Sequence, residues 1–168
     1  MKCDMKCDMK KVLVIGCPGA GKSCFARKLH AATDLPLYPL DLIWHKTDKT
    51  TVTREEFDRA LEEILLRDEW IIDGNYNRTL EERFLACDTV FFLDLPIEDC
   101  LRGAQSRIGK KREDLPWIEE TFDEEFKEWI LRFPKDKLPH IYELLEKYPS
   151  KTVVIFRSHE EIDAYFSE

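Results

Sequence analysis

No stretch of the 168-residue sequence approaches the roughly 18 consecutive apolar residues that a membrane-spanning helix needs; the longest apolar runs, 11–17 and 89–95, have the length of strands. The N-terminus has neither a long apolar segment nor a small-residue cleavage site, so no export signal is read there and a cytoplasmic address is expected. Basic charge is in deficit. The 26 Lys and Arg against 34 Asp and Glu leave a net charge of −8, which disfavours a surface built to coat nucleic acid. Six cysteines are present (Cys3, Cys7, Cys17, Cys24, Cys87 and Cys100), but none are spaced Cys-x-x-Cys and the four histidines are scattered, which argues against a structural zinc site. Without an export signal the thiols are expected to stay reduced.

The composition that remains suits one globular domain: 43% hydrophobic residues beneath 36% charged ones, in a chain long enough to bury a core. The first ten residues read Met-Lys-Cys-Asp twice and then Met-Lys, so the domain is expected to span 9–168, with 1–8 a tail to which no function is assigned. Beyond the tail, strand-sized apolar runs alternate with helical periodicity, the pattern of a parallel α/β sheet with crossover helices. Five strands are expected, at 12–15, 37–40, 70–72, 89–94 and 152–156. One helix should start near Lys22, and another should follow a capping box at 53–56 and carry Phe57, Leu61, Ile64 and Leu65 on one face. A second capping box is read at 79–82, a helix from Pro96 to about Arg107, and a closing helix over 159–166. Ile118, Phe122, Phe126, Trp129, Ile130 and Phe133 make a core-facing helical stripe, and a second stripe follows Pro134.

The most informative segment is Gly16-Cys17-Pro18-Gly19-Ala20-Gly21-Lys22-Ser23. It fits G-x-x-x-x-G-K-[ST] directly after an apolar strand and at the start of a helix. Glycines let such a loop turn its amides toward an anion, and the helix terminus adds partial positive charge. ATP and Mg²⁺ are therefore the expected cofactors. Gly16, Cys17, Gly19, Ala20, Gly21 and Cys24 frame the nucleotide, Lys22 reaches the β and γ phosphates, and the Ser23 hydroxyl ligates the metal. Hydrated Mg²⁺ also calls for a carboxylate at the carboxyl edge of the sheet, and Asp73 and Asp94, each ending an apolar run, are both candidates. Cys17 is either a passive loop residue or, among loop amides near a helix start, a stabilised thiolate whose oxidation blocks nucleotide.

Asp41 after the second strand, the Asp73-Gly74-Asn75-Tyr76 turn, the Phe133-Pro134-Lys135 step and Phe156-Arg157-Ser158 join this loop in a wider pattern. From about Met9 onward the chain resembles the adenylate-kinase-like P-loop proteins known as DNA topology modulation proteins. The resemblance implies a three-layer α/β P-loop fold of nucleoside-monophosphate-kinase type, with a five-stranded parallel sheet and short acceptor-side and lid segments. It also implies that Asp73 organises Mg²⁺ through water, that Asp41 faces the acceptor, that Arg157 lies near the adenine and that Arg83 binds an anion of the acceptor. Adenylate kinases follow the Asp-Gly pair with phenylalanine, proline and an arginine that grips AMP. Here Asn75, Tyr76 and Asn77 hold those places, with Arg78 one step on, which argues against AMP as acceptor. Cys24 stands where small kinases often carry threonine.

The function read from these residues is an ATP-dependent phosphotransferase acting on a small-molecule acceptor. Lys22, Asp41, Arg107 and Arg112 are the candidate catalytic residues, and Asp41, Trp44, Asn75, Tyr76, Arg78 and Arg83 the candidate acceptor contacts. A hydroxyl acceptor uses Asp41 as proton acceptor, whereas a phosphate acceptor needs only cationic positioning by Arg83 or Arg78; the residues leave both open. The rival reading is a nucleotide-dependent regulatory or DNA-associated protein, for which only the basic run at 102–112 speaks.

Overall fold

The computed structural model describes residues 8–167, so Cys3, Cys7 and nearly all of the repeated tail lie outside the described residues. The β-branched run Val12, Val14 and Ile15 forms the central strand β1 (Lys11–Gly16), whose side chains from Val12 onward are buried, as expected of a parallel strand covered on both faces. Around it lie β2 (Leu37–Pro39), β3 (Trp70–Asp73), β4 (Thr89–Leu93) and β5 (Thr152–Phe156), all parallel in the order β2-β3-β1-β4-β5. This is the expected five-stranded sheet. Its register pairs Val14 with Asp73 and Gly16 with Leu93, which brings the loop after β1, Asp73 and Asp94 to one carboxyl edge.

Helices α1 (Lys22–Thr33), α2 (Leu40–Trp44), α3 (Arg54–Leu65), α4 (Leu80–Ala86), α5 (Ile97–Ser106), α6 (Glu124–Asp136), α7 (Leu138–Lys147) and α8 (His159–Ser167) complete the layers. Phe25 of α1 packs 5.0 Å from Phe91 and 5.4 Å from Phe156, ring centroid to centroid, fixing that helix against β4 and β5. The capping box of α3 is present: the Thr53 hydroxyl accepts from the Glu56 amide and the Glu56 carboxylate accepts from the Thr53 amide, both at 3.1 Å. Among the described residues no helix is long and apolar enough to cross a membrane.

Four local expectations are corrected. The second strand ends at Pro39, because Leu40 buries its side chain completely and opens α2, which places Asp41 in a helical first turn. The capping box at 79–82 does not form. Thr79 instead donates its hydroxyl to the Tyr76 carbonyl at 3.2 Å, closing a 3₁₀ turn (Asn77–Thr79) ahead of α4. Ile118 and Phe122 lie in the irregular segment before α6, which starts after its Asp123 cap; Ile118 and Trp129 are 47% and 44% exposed, so the buried stripe reduces to Ile130 and Phe133. Pro134 does not divide the two helices. It sits in the last turn of α6, where its missing amide forfeits one bond only, and the break falls at Lys137.

Candidate active site

The phosphate loop is shaped by two close constraints. Gly19 (φ 85°) passes so near α5 that a Cβ there would lie 2.0 Å from the Cys100 carbonyl oxygen. Gly21 (φ 98°) caps α1 with no side-chain cap and no acid in the first turn, so the leading amides of that helix stay free to face an anion. Lys22 Nζ donates to the Cys17 carbonyl at 3.3 Å, holding its charge over the loop. Asn75 pins the loop from the β3 side: its side-chain oxygen accepts from Gly16 N–H at 3.1 Å and its amide donates to the Gly16 carbonyl at 2.5 Å.

Cys17 lies behind the loop, not on its ligand face. It is buried against Cys100, and the contact with that thiol together with burial pushes the Cys17 thiol up. This favours the passive loop residue over the stabilised thiolate, the two readings that the sequence left open. All four described cysteines are free.

A cavity of ≈ 1520 Å³ opens over the loop, bounded by Lys22, Ser23, Asp41, Asp73, Trp44 and Arg107 among others. Asp73 is 5% exposed with its Oδ2 at 3.1 Å from Ser23 Oγ; burial pushes its carboxyl up to about 6, with the Lys22 ammonium pulling the other way. The hard oxygens of Ser23 and Asp73, beside a loop with free amides, suit a Mg²⁺ carried in with polyphosphate. Asp94 is not part of this set. It ends β4 at the same sheet edge, but its carboxylate accepts from the Tyr142 hydroxyl and pairs with Arg157 at 3.0 Å, outside the cavity wall. Arg157 is thereby also turned to Asp94 and does not line the cavity.

On the acceptor side, Tyr76 (φ 35°) donates its hydroxyl to Asp41 Oδ1 at 2.6 Å, and burial and the Asp41 charge push the phenol up. Trp44 packs edge-on against Phe57 and Tyr76 at 5.6 and 6.3 Å, making one aromatic wall. The two arginines expected at the acceptor lie elsewhere. Arg83 is completely buried, donating to the Gly74 carbonyl at 2.6 Å and to the carbonyls of Asn75 and Tyr76, so it shapes the turn that carries those residues. Arg78 forms a two-pronged pair with Asp58 at 3.0 and 2.5 Å, away from the cavity.

The basic residues Arg102, Arg107, Lys110, Lys111 and Arg112 all line the cavity. Arg102 pairs with Asp99, and Arg112 pairs with Asp114 at 2.6 Å and Glu119 at 3.5 Å. Arg107 has a buried Nε without a hydrogen-bond partner, and burial draws its guanidinium down. This arrangement does not favour the DNA-associated reading.

Two residues that sequence reasoning passed over also bound the cavity: Trp117, edge to face at 5.1 Å with His45, and Asp114, 4% exposed with Oδ2 at 2.8 Å from Ser23 Oγ. The acid two residues after Arg112 was the available signal for Asp114, although its partner lies 91 positions away.

No protein-family model matches the chain. A shikimate kinase from Rhodococcus jostii (strain RHA1) is 32% identical to it over 114 residues, covering 60% of this chain and 68% of that protein. Two solved structures share the fold. A shikimate kinase from Bacteroides thetaiotaomicron superposes with a TM-score of 0.56 at 17% identity over 95% of each chain. The shikimate kinase from Acinetobacter baumannii, solved in complex with shikimate, gives a TM-score of 0.63 at 14% identity over 99% of this chain and 96% of that one.

Proposed function

The chain belongs to the shikimate kinase family of P-loop kinases and is an ATP- and Mg²⁺-dependent small-molecule kinase; from that premise we propose that it phosphorylates a hydroxyl group, with Asp41 as the proton acceptor. One observation carries the choice of hydroxyl over phosphate: the cavity that holds Lys22 also holds the Asp41 carboxylate, while Arg78 and Arg83 are both committed elsewhere. A phosphate acceptor needs those cations and is repelled by that carboxylate; a neutral hydroxyl needs a base within reach.

In this reading the loop amides and Lys22 hold the β and γ phosphates of ATP, and Ser23 and Asp73 hold the metal. Bound Mg²⁺ supplies neutralisation of the phosphate charge. The acceptor oxygen forms a bond to the γ-phosphorus as the bond to the β–γ bridging oxygen breaks, its proton passes to Asp41, and ADP departs. Arg112 is occupied by two carboxylates, which leaves the partnerless Arg107 as the guanidinium for the phosphoryl group in transfer. Trp44 and Tyr76 wall the acceptor. Within the family, the Asp73-Gly74-Asn75-Tyr76 turn supports placing the chain with the topology modulation proteins. The relatives' name makes shikimate, a hydroxylated ring acid, the first acceptor to try.

The test is Mg-ATP turnover by the purified protein against shikimate, other small hydroxylated metabolites, nucleosides and nucleoside monophosphates, with Lys22→Ala as control. Stimulation by a hydroxyl compound, lost in the variant, supports the reading; stimulation by nucleoside monophosphates alone overturns it.

A further inference from the structure

Segment 107–123 between α5 and α6 crosses the mouth of the cavity and sends one carboxylate down to the phosphate loop. We propose that this residue, Asp114, is a ligand of the nucleotide-borne Mg²⁺ supplied by the lid, so that one ion joins the loop, the sheet edge and the lid. The proposal rests on the kinase reading and adds to Ser23 and Asp73 a third protein group from a separate part of the chain.

The distances carry it. Mg²⁺ takes octahedral oxygens at about 2.0–2.1 Å, which sets neighbouring ligands about 3 Å apart. Ser23 Oγ lies 3.1 Å from Asp73 Oδ2 and 2.8 Å from Asp114 Oδ2, the spacing of two edges of such an octahedron sharing one corner. Hydrogen bonding alone leaves one of these two short contacts without a hydrogen between its oxygens, because one hydroxyl has one hydrogen and cannot donate to two carboxylates at once. A divalent cation satisfies all three oxygens, and Mg²⁺ is commonly held by one or two carboxylates together with substrate phosphates.

Arg112 aims the carboxylate. Its Nε donates to Asp114 Oδ1 at 3.0 Å and its Nη2 to Oδ2 at 2.6 Å, a fork that fixes the plane of the carboxylate and leaves Oδ2 on Ser23. Arg112, whose side chain is 11% exposed, is in turn anchored by Glu119, so the lid enters as a braced unit. Without the metal, the lid carboxylate repels Asp73 and the incoming phosphates; with it, the same charge closes the lid. Lid closure is therefore coupled to the metal and not to nucleotide alone.

The experiment uses the full chain with ADP and no acceptor, so it stands apart from the acceptor question. Mn²⁺ binding to the protein–ADP complex is followed by electron paramagnetic resonance, and ADP affinity is measured with Mg²⁺ and with EDTA, for wild type, Asp114→Asn, Asp114→Glu and Asp73→Asn. The expected result is a loss of Mn²⁺ affinity of about tenfold or more in Asp114→Asn, partial recovery in Asp114→Glu, and ADP affinity in EDTA that is unchanged or tighter. In wild type, ADP protects 107–123 from proteolysis only when metal is present, a measurement that needs no variant. Unchanged Mn²⁺ affinity in Asp114→Asn overturns the proposal. So does tighter ADP binding in that variant by the same factor with and without metal, which marks a carboxylate that merely obstructs the loop, and so does equal protection by ADP in EDTA. If wild type binds neither Mn²⁺ nor ADP, the kinase reading itself fails.

Discussion

The Tyr76 hydroxyl donates to Asp41 Oδ1 at 2.6 Å, tying the turn after β3 to the first turn of α2 across 35 positions of sequence. The bond fixes one oxygen of a carboxylate that lines the cavity. Tyr76→Phe keeps the aromatic wall and removes only the donor, so the carboxylate loses its aim. We expect kcat to fall by about tenfold with ADP affinity unchanged, while Asp41→Asn, which removes the base itself, lowers kcat by about 10²- to 10⁴-fold. Steady-state kinetics with the identified acceptor, beside ADP titrations, checks both.

Asp73 links the site to stability. Burial raises its carboxyl from 3.8 to about 6 in the folded protein, so between those values the folded state binds more protons than the unfolded one. Stability without metal is then highest, for this group, below its unfolded value and falls as pH rises toward 6. Above that it stays lower by about 3 kcal/mol. Asp73→Asn removes the buried charge. Thermal unfolding in EDTA at pH 7.5 should show the variant more stable than wild type, and the difference should shrink at pH 4.

Gly19 and Gly21 share positive φ but differ in surroundings. A Cβ at Gly19 meets the Cys100 carbonyl oxygen at 2.0 Å, whereas at Gly21 the nearest atom is on the His159 ring at 3.9 Å. Gly19→Ala must push the loop off α5, and ADP binding should be lost. Gly21→Ala carries backbone strain of about 1–2 kcal/mol, and ADP affinity should fall far less. Calorimetric titration of the two variants distinguishes them.

Arg83 is the largest buried charge of the acceptor-side turn, and its partners are carbonyl oxygens of residues 74–76. Removing it leaves those carbonyls unpaired in the interior. Arg83→Ala should destabilise by about 3 kcal/mol, a fall in Tm of roughly 6–12 °C for a domain of this size. Arg78→Ala, on an exposed pair, should change Tm by no more than a degree or two. Thermal unfolding of both variants separates a framework arginine from a surface one.

The central strand, the loop and α1 were legible because each rests on local pattern: β-branched residues in a row, glycines at fixed offsets, a lysine and serine opening a helix. The second capping box misled for a local reason too. Thr79 had a nearer acceptor in the Tyr76 carbonyl, and the turn closed before the helix could use the hydroxyl. The arginines were the harder case. Arg83 and Arg78 lie beside the right turn in sequence, but whether a guanidinium faces a cavity, a set of carbonyls or Asp58 is decided by tertiary packing. Asp94 and Asp73 end neighbouring apolar runs in the same way. Only the position of β5 and α7, which bring Arg157 and Tyr142 to Asp94, tells them apart. Asp114 offered only its place two residues after Arg112 as a local signal, since its partner Ser23 lies 91 positions away.

The chemical identity of the phosphorylated product is the most direct test of hydroxyl transfer. ³¹P nuclear magnetic resonance of a reaction containing Mg-ATP and the stimulating acceptor should show ADP together with a phosphate monoester, and neither signal should grow with Lys22→Ala. A new phosphoanhydride, or ADP with inorganic phosphate alone, would contradict it.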